Sequence, residues 1–196
     1  MHGAEHDRAA RSVVSADDTV LVVIDMQESL AGVMDAREAV VGATALLVQA
    51  AGRLGLPLIV TRQNPMALGE TIMEVREVAG VHTPVDKMAF DATRDEGFIA
   101  HLEQAGRRTV VLAGMETHIC VTQTALGLLR AGYAVYVAAD AVCSRRSFDH
   151  DVALERLRAA GAIVTTAESV VYEALGVAGT DAFRDVLRSV KARSVP

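Results

Sequence analysis

Residues 109–132, TVVLAGMETHICVTQTALGLLRAG, carry a complete β–α unit in one stretch of sequence. The run Thr109–Leu112 is short, apolar and β-branched, as suits a strand buried on both faces of a parallel sheet. Beyond Thr117, residues Val121, Ala125, Leu128 and Leu129 recur at i, i+4, i+7 and i+8, which draws one apolar stripe along a helix. Gly132 then stands where that helix should end, because glycine enters the left-handed C′ conformation without steric cost.

The same unit repeats in both directions along the chain. Val20–Ile24 (VLVVI), Leu58–Thr61 (LIVT), Ala134–Ala138 (AVYVA) and Ala162–Thr165 (AIVT) read as further buried strands, and Gly55, Gly106 and Gly161 as helix ends. Asp35 with Glu38, and Thr93 with Glu96, have the spacing of an N-cap and its N3 partner. A last helix is expected around Asp181–Lys191, with Phe183, Val186, Leu187 and Val190 on one side. The segment Val81–Asp86 (VHTPVD) can supply a sixth short strand. The stretch Arg62–Gly80 offers no clean strand or helix and reads as a binding loop or lid. Alternating β and α units with short connections predict an α/β, doubly wound, mainly parallel sheet with helices on both faces. One domain over 17–196 follows, behind a flexible tail at 1–16.

Composition removes several classes of function. The 196 residues are 51% apolar and 22% charged, which excludes disorder throughout. A net charge of −6, no Trp and few aromatic rings argue against a nucleic-acid module, which needs basic patches and stacking surfaces. Two cysteines do not make a secreted disulfide framework. The opening MHGAEHDRAARSVVSADD lacks the apolar core of a signal peptide, and the apolar stretch 39–60 is broken by Thr44, Gln49 and Arg53. The expectation is a cytoplasmic protein without membrane contact.

In doubly wound sheets, ligands bind beyond the C-terminal strand ends, at the point where strand order reverses. Asp25 ends the first strand, and Cys120 lies at the start of the helix after Thr109–Leu112. A thiol at a helix N-terminus meets free N–H groups that lower its pKa, and a facing carboxylate can take its proton. Each residue also has an ordinary reading: Asp25 as a turn residue, Cys120 as a small buried hydrophobe. His118 is two residues from Cys120 and points elsewhere on a helix. Cys143 packs in a loop, and Arg145 and Arg146 are solvated loop charges or, less favoured, a grip on an anionic substrate. The six histidines show no HxH, HExxH or CxxC-type metal spacing. GxGxxG, GxxxxGK[ST] and GxSxG motifs are also absent.

Three motifs in order carry a family resemblance: IDMQ at 24–27, DKMAFDAT at 86–93 and GMETHICV at 114–121. Together they resemble the isochorismatase-like cysteine hydrolases, from about Val20 to Lys191. VTRQNPMALGETI and VAADAVCSRRSFDHDVALERLRAAGA look most like the uncharacterised isochorismatase-domain hydrolases. The resemblance implies a six-stranded sheet of order 3-2-1-4-5-6 and a catalytic triad of Asp25, Lys87 and Cys120. It also implies an oxyanion hole from the backbone N–H groups of Glu116 and Cys120, a cis peptide between Met115 and Glu116, and a homo-oligomer. Nicotinamidases of this family bind metal through an Asp-x-His pattern after the second strand. Here that place reads Arg62–Gln63–Asn64–Pro65, so no metal and no cofactor are expected. The implied activity is cleavage of a small carboxamide or related C–N bond. The alternative is a small-molecule binding or thiol redox-sensing protein on the same fold.

Overall fold

Six parallel strands run β3-β2-β1-β4-β5-β6, the order implied by the resemblance, in a computed structural model that describes residues 13–80 and 82–193. They are β1 (Thr19–Ile24), β2 (Leu58–Gln63), β3 (Val85–Lys87), β4 (Thr109–Met115), β5 (Ala134–Cys143) and β6 (Ile163–Thr165). Among the described residues the helices are α1 (Glu28–Ala31), α2 (Arg37–Leu54), α3 (Pro65–Leu68), α4 (Met73–Ala79) and α5 (Glu96–Ala105). They continue with α6 (Thr122–Arg130), α7 (Ser147–Ala159), α8 (Ala167–Leu175) and α9 (Asp181–Ala192). None is long and apolar enough to cross a membrane.

Side chains alternate across a strand, and here both sets are apolar because both faces are covered. Leu21 and Val23 of β1 join Val60, Val111 and Tyr136 in a core completed by α2, α8 and α9. Val20, Val22 and Ile24 join Ile59, Val110 and Leu112 in a second core completed by α5, α6 and α7.

The switch point falls between β1 and β4, which pair in register from Thr19↔Thr109 to Ile24↔Gly114. At its C-terminal end the two backbones touch. A Cβ on Gly114 would lie 1.9 Å from the Ile24 carbonyl oxygen, and Gly114 adopts φ +123°. Only glycine has both the room and the conformational freedom for this position. Next to it the β4–β5 register shifts between Leu112 and Gly114.

Several expectations need correction. Asp35 caps nothing: α2 starts at Arg37 behind Ala36, without a side-chain cap bond. The cap of α5 is Asp95, not Thr93, because the preceding turn Ala92–Arg94 is already 3₁₀ and Asp95 accepts from the Phe98 N–H at 3.1 Å. The stretch 62–80 is not an irregular loop, since it holds the end of β2 and the helices α3 and α4. The sixth strand lies at Val85–Lys87, later than expected, and Val81 is outside the described residues. The proposed tail at 1–16 also falls largely outside them. β5 runs on through Asp140 to Cys143, so Cys143 is a strand residue.

Candidate active site

Asp25 leaves β1 in the left-handed region at φ +48°, a conformation that aspartate tolerates better than most residues. Its N–H donates to the Thr61 carbonyl at 3.2 Å, and its own carbonyl accepts from the Gln27 N–H at 2.8 Å. This turn points a fully buried carboxylate along the end of the sheet. Oδ1 accepts the Thr61 hydroxyl at 2.7 Å, and Oδ2 accepts Lys87 Nζ at 2.7 Å.

Lys87 is the last residue of β3, and its side chain is fully buried. It donates a second time to Gln63 Oε1 at 2.8 Å. A buried ion pair is tolerated only when its remaining donors and acceptors are satisfied, and here Thr61 and Gln63 satisfy them. Cys120 sits against the same pair, and both Asp25 and Lys87 act on its thiol. The structure therefore brings together all three residues of the expected triad.

The state of the thiol differs from the expectation. Cys120 lies inside a π-helical turn, Thr117–Val121, ahead of α6 and not at a free helix start. It is 5% exposed, and burial is the largest influence on it. Burial and the Asp25 charge push its pKa up to about 12, against the opposing pull of Lys87. The resting group is a neutral thiol beside the Asp25 carboxylate.

The Met115–Glu116 peptide is cis, as the resemblance implies. The Glu116 carbonyl accepts from the N–H groups of Ile119 at 3.0 Å and Val121 at 3.3 Å, which ties down the turn around Cys120. The buried Glu116 carboxylate accepts the Arg145 N–H at 3.0 Å, with the Arg145 guanidinium at 3.5 Å. Arg145 pairs with Glu116 while its side chain stays exposed, and Arg146 is exposed as well. Cys143 lies opposite Met115 in the sheet, and burial with the Glu116 charge raises its pKa to about 12. The His118 ring bonds Ser144 Oγ at 2.9 Å and does not form a dyad with Cys120.

Sequence reasoning missed Thr61, Gln63 and Gln27. The Gln27 side chain clasps the Gln63 backbone on both sides, accepting its N–H at 2.7 Å and donating to its carbonyl at 3.1 Å. At the place of the nicotinamidase metal pattern, Arg62 pairs with Asp86 at 2.6 Å and with Glu70, and Gln63 holds Lys87. One signal for Lys87 was available in composition. Of the 19 basic residues only Lys87 and Lys191 are lysines, so a lysine in this chain is itself unusual.

An isochorismatase domain model matches residues 19–169. The secreted isochorismatase effector Isc1 of Phytophthora sojae is 35% identical over 88% of this chain and 84% of its own length. The chain spans 61% and 62% of the length of two longer fish relatives. The structure of MAR1 ribonuclease from Caenorhabditis elegans is 31% identical, with TM-score 0.87 over 94% of this chain and 98% of that one. The YcaC gene product of Escherichia coli, described as an octameric hydrolase of unknown specificity, shares the fold at TM-score 0.81 and 20% identity, over 92% and 88% of the two chains. With three sequence motifs, the strand order and a domain match across most of its length, this chain belongs to the isochorismatase family of hydrolases.

Proposed function

We propose that the chain is a metal-independent cysteine hydrolase that cleaves a small carboxamide or related C–N bond through a thioester. The observation that carries the reading is the buried Asp25–Lys87 pair set directly against the Cys120 thiol. As Cys120 Sγ attacks the carbonyl carbon, its proton passes to Asp25, whose carboxylate stands beside the thiol. Lys87 keeps its charge and offsets the negative charge that moves onto sulfur and then onto the substrate oxygen. Backbone N–H groups of Glu116 and Cys120 receive that oxygen, a contribution of ~3–4 kcal/mol per donor in measured enzymes. Collapse breaks the C–N bond, and Asp25 returns the proton to the leaving amine. Asp25 then takes a proton from water as its oxygen attacks the thioester, and Cys120 leaves and is reprotonated.

A resting thiol pushed up to about 12 favours this coupled transfer over redox sensing, which depends on a standing thiolate. The proposal includes a homo-oligomer in the cytoplasm. Met66, Met88, Phe90 and Phe148 are exposed apolar side chains on segments that follow β2, β3 and β5, at the end of the sheet that holds the site.

The test is ammonia release over a panel of small primary amides, with wild type and Cys120→Ala, before and after dialysis against EDTA. Turnover by the dialysed wild type and none by the variant is the expected result. A short RNA belongs in the panel, because one 31% identical relative carries the name ribonuclease. RNA cleavage without amide turnover overturns the proposal, as does turnover lost to EDTA and restored by zinc.

A further inference from the structure

An ammonium has three N–H donors, and the structure gives Lys87 three neighbours for them: Asp25 Oδ2 accepting at 2.7 Å, Gln63 Oε1 accepting at 2.8 Å, and the Cys120 thiol beside the pair. Two of these are the reacting groups of the proposed mechanism. The third, Gln63, is uncharged, 7% exposed and fixed from every side. Its Nε2 donates to the Met88 carbonyl at 2.8 Å, so its Oε1 is the end that faces Lys87. Its backbone is clasped by the Gln27 amide, and the β2–β3 register sets it opposite Lys87. The neighbouring charges, Arg62 on β2 and Asp86 on β3, pair with each other at 2.6 Å on the exposed edge and do not reach Lys87.

We propose that Gln63 is a positioning residue: its locked amide holds the Lys87 ammonium between Asp25 and the Cys120 sulfur. A lysine stem is flexible, and an ammonium is a point charge without the preset fork of arginine. Held by Asp25 alone, it would swing toward that carboxylate and leave the sulfur. Gln63 supplies the opposing pull while adding no charge of its own. The catalytic consequence rests on the hydrolase reading above, whereas the placement of the ammonium does not.

The experiment uses the scarcity of lysine. With ¹⁵N-lysine labelling the full chain carries two side-chain ammonium groups, Lys87 buried and Lys191 exposed. Lys87 should give a resolved, slowly exchanging ammonium signal, while that of Lys191 exchanges with water. Gln63→Met and Gln63→Glu both lose the donor to Met88, but only Gln63→Met loses the acceptor for Lys87. The expected result is a retained signal in Gln63→Glu and, in Gln63→Met, exchange faster by about 10- to 100-fold, the equivalent of one charged hydrogen bond. Iodoacetamide labelling of Cys120 in Gln63→Met should slow over a similar range. If Gln63→Met does not fold, Gln63→Asn keeps the amide but withdraws its oxygen by one methylene and serves the same comparison. An unchanged Lys87 signal in the variant that lacks the acceptor, or equal loss in both variants, overturns the assignment. The signal needs no substrate, so absent amide turnover in wild type counts against the hydrolase reading alone.

Discussion

Replacing Gly114 by alanine tests whether the contact between β1 and β4 sets the site. The added Cβ would stand 1.9 Å from the Ile24 carbonyl oxygen and 2.7 Å from the Ile24 carbonyl carbon and nitrogen. A close carbon–oxygen contact is ~3.3 Å, so the two strands must part by about 1.4 Å there. Overpacking of this kind costs about 1–3 kcal/mol, and an alanine held at φ +123° costs about 1–3 kcal/mol more. The sum, about 2–6 kcal/mol, corresponds to a fall in Tm of roughly 4–24 °C for a chain of this size. Asp25 follows Ile24 directly, so the same shift moves the carboxylate relative to Cys120, and activity should fall even in the folded fraction. Gly52→Ala is the matched control. It sits in α2, where an added Cβ meets nothing within 4 Å, and should stabilise by about 0.5–1 kcal/mol. Urea melts followed by circular dichroism measure both variants. If Gly114→Ala lies within ~0.5 kcal/mol of wild type, the contact does not constrain the strand ends and the reasoning fails.

Lys87→Met should destabilise by about 3–5 kcal/mol because it leaves Asp25 charged and buried, and Asp25→Asn/Lys87→Met should recover most of that loss; equal stability of single and double variants in urea melts would refute this. Labelling of native protein by iodoacetamide should rise about tenfold per pH unit from pH 6 to 9, as two thiols with pKa raised to about 12 require, and a plateau below pH 7 would show a resting thiolate. His82 Nε2 accepts the Val60 N–H at 3.2 Å, which needs a neutral ring, and burial with the nearby His101 charge lowers its pKa below the usual 6.5. The unfolded chain therefore binds the proton first as pH falls, so this stability is full above pH 6.5 and is lost below it. His82→Gln keeps an acceptor that does not titrate, and its loss of stability between pH 7.5 and 5.5 should be smaller than that of wild type. A steeper loss would contradict the assignment.

The strands were legible because a strand covered on both faces is written as an unbroken apolar run, and VLVVI or TVVL admits few other readings. β5 was cut short at Ala138 because Asp140 interrupts its run. The structure shows why a carboxylate is tolerated there: Asp140 accepts the Ala167 N–H at 2.7 Å and pairs with Arg193 at 2.7 Å. Asp25 and Cys120 could be placed from the chain alone, since each stands at a strand end beside the switch point. Lys87 could not, because its role depends on a three-residue strand with no apolar run to announce it. Gln63 and Thr61 stayed hidden for a related reason. Their meaning comes from β2 lying between β1 and β3, a pairing that joins residues 24 and 36 positions apart in sequence. The thiol was misjudged because a helix start was expected where the backbone makes a π turn, and burial then outweighs the backbone dipoles.

The near absence of lysine has a practical consequence at the bench. Amine-reactive reagents such as succinimidyl esters find two lysine side chains in this protein. Lys87 is walled in and held by its acceptors, while Lys191 stands exposed on α9. A dye, a biotin or a bead tethered through a lysine therefore goes to one address on the folded molecule and leaves the pocket chemistry untouched. The same reagent reaches Lys87 only after the sheet opens, so a second lysine adduct in a mass spectrum counts the molecules that have unfolded.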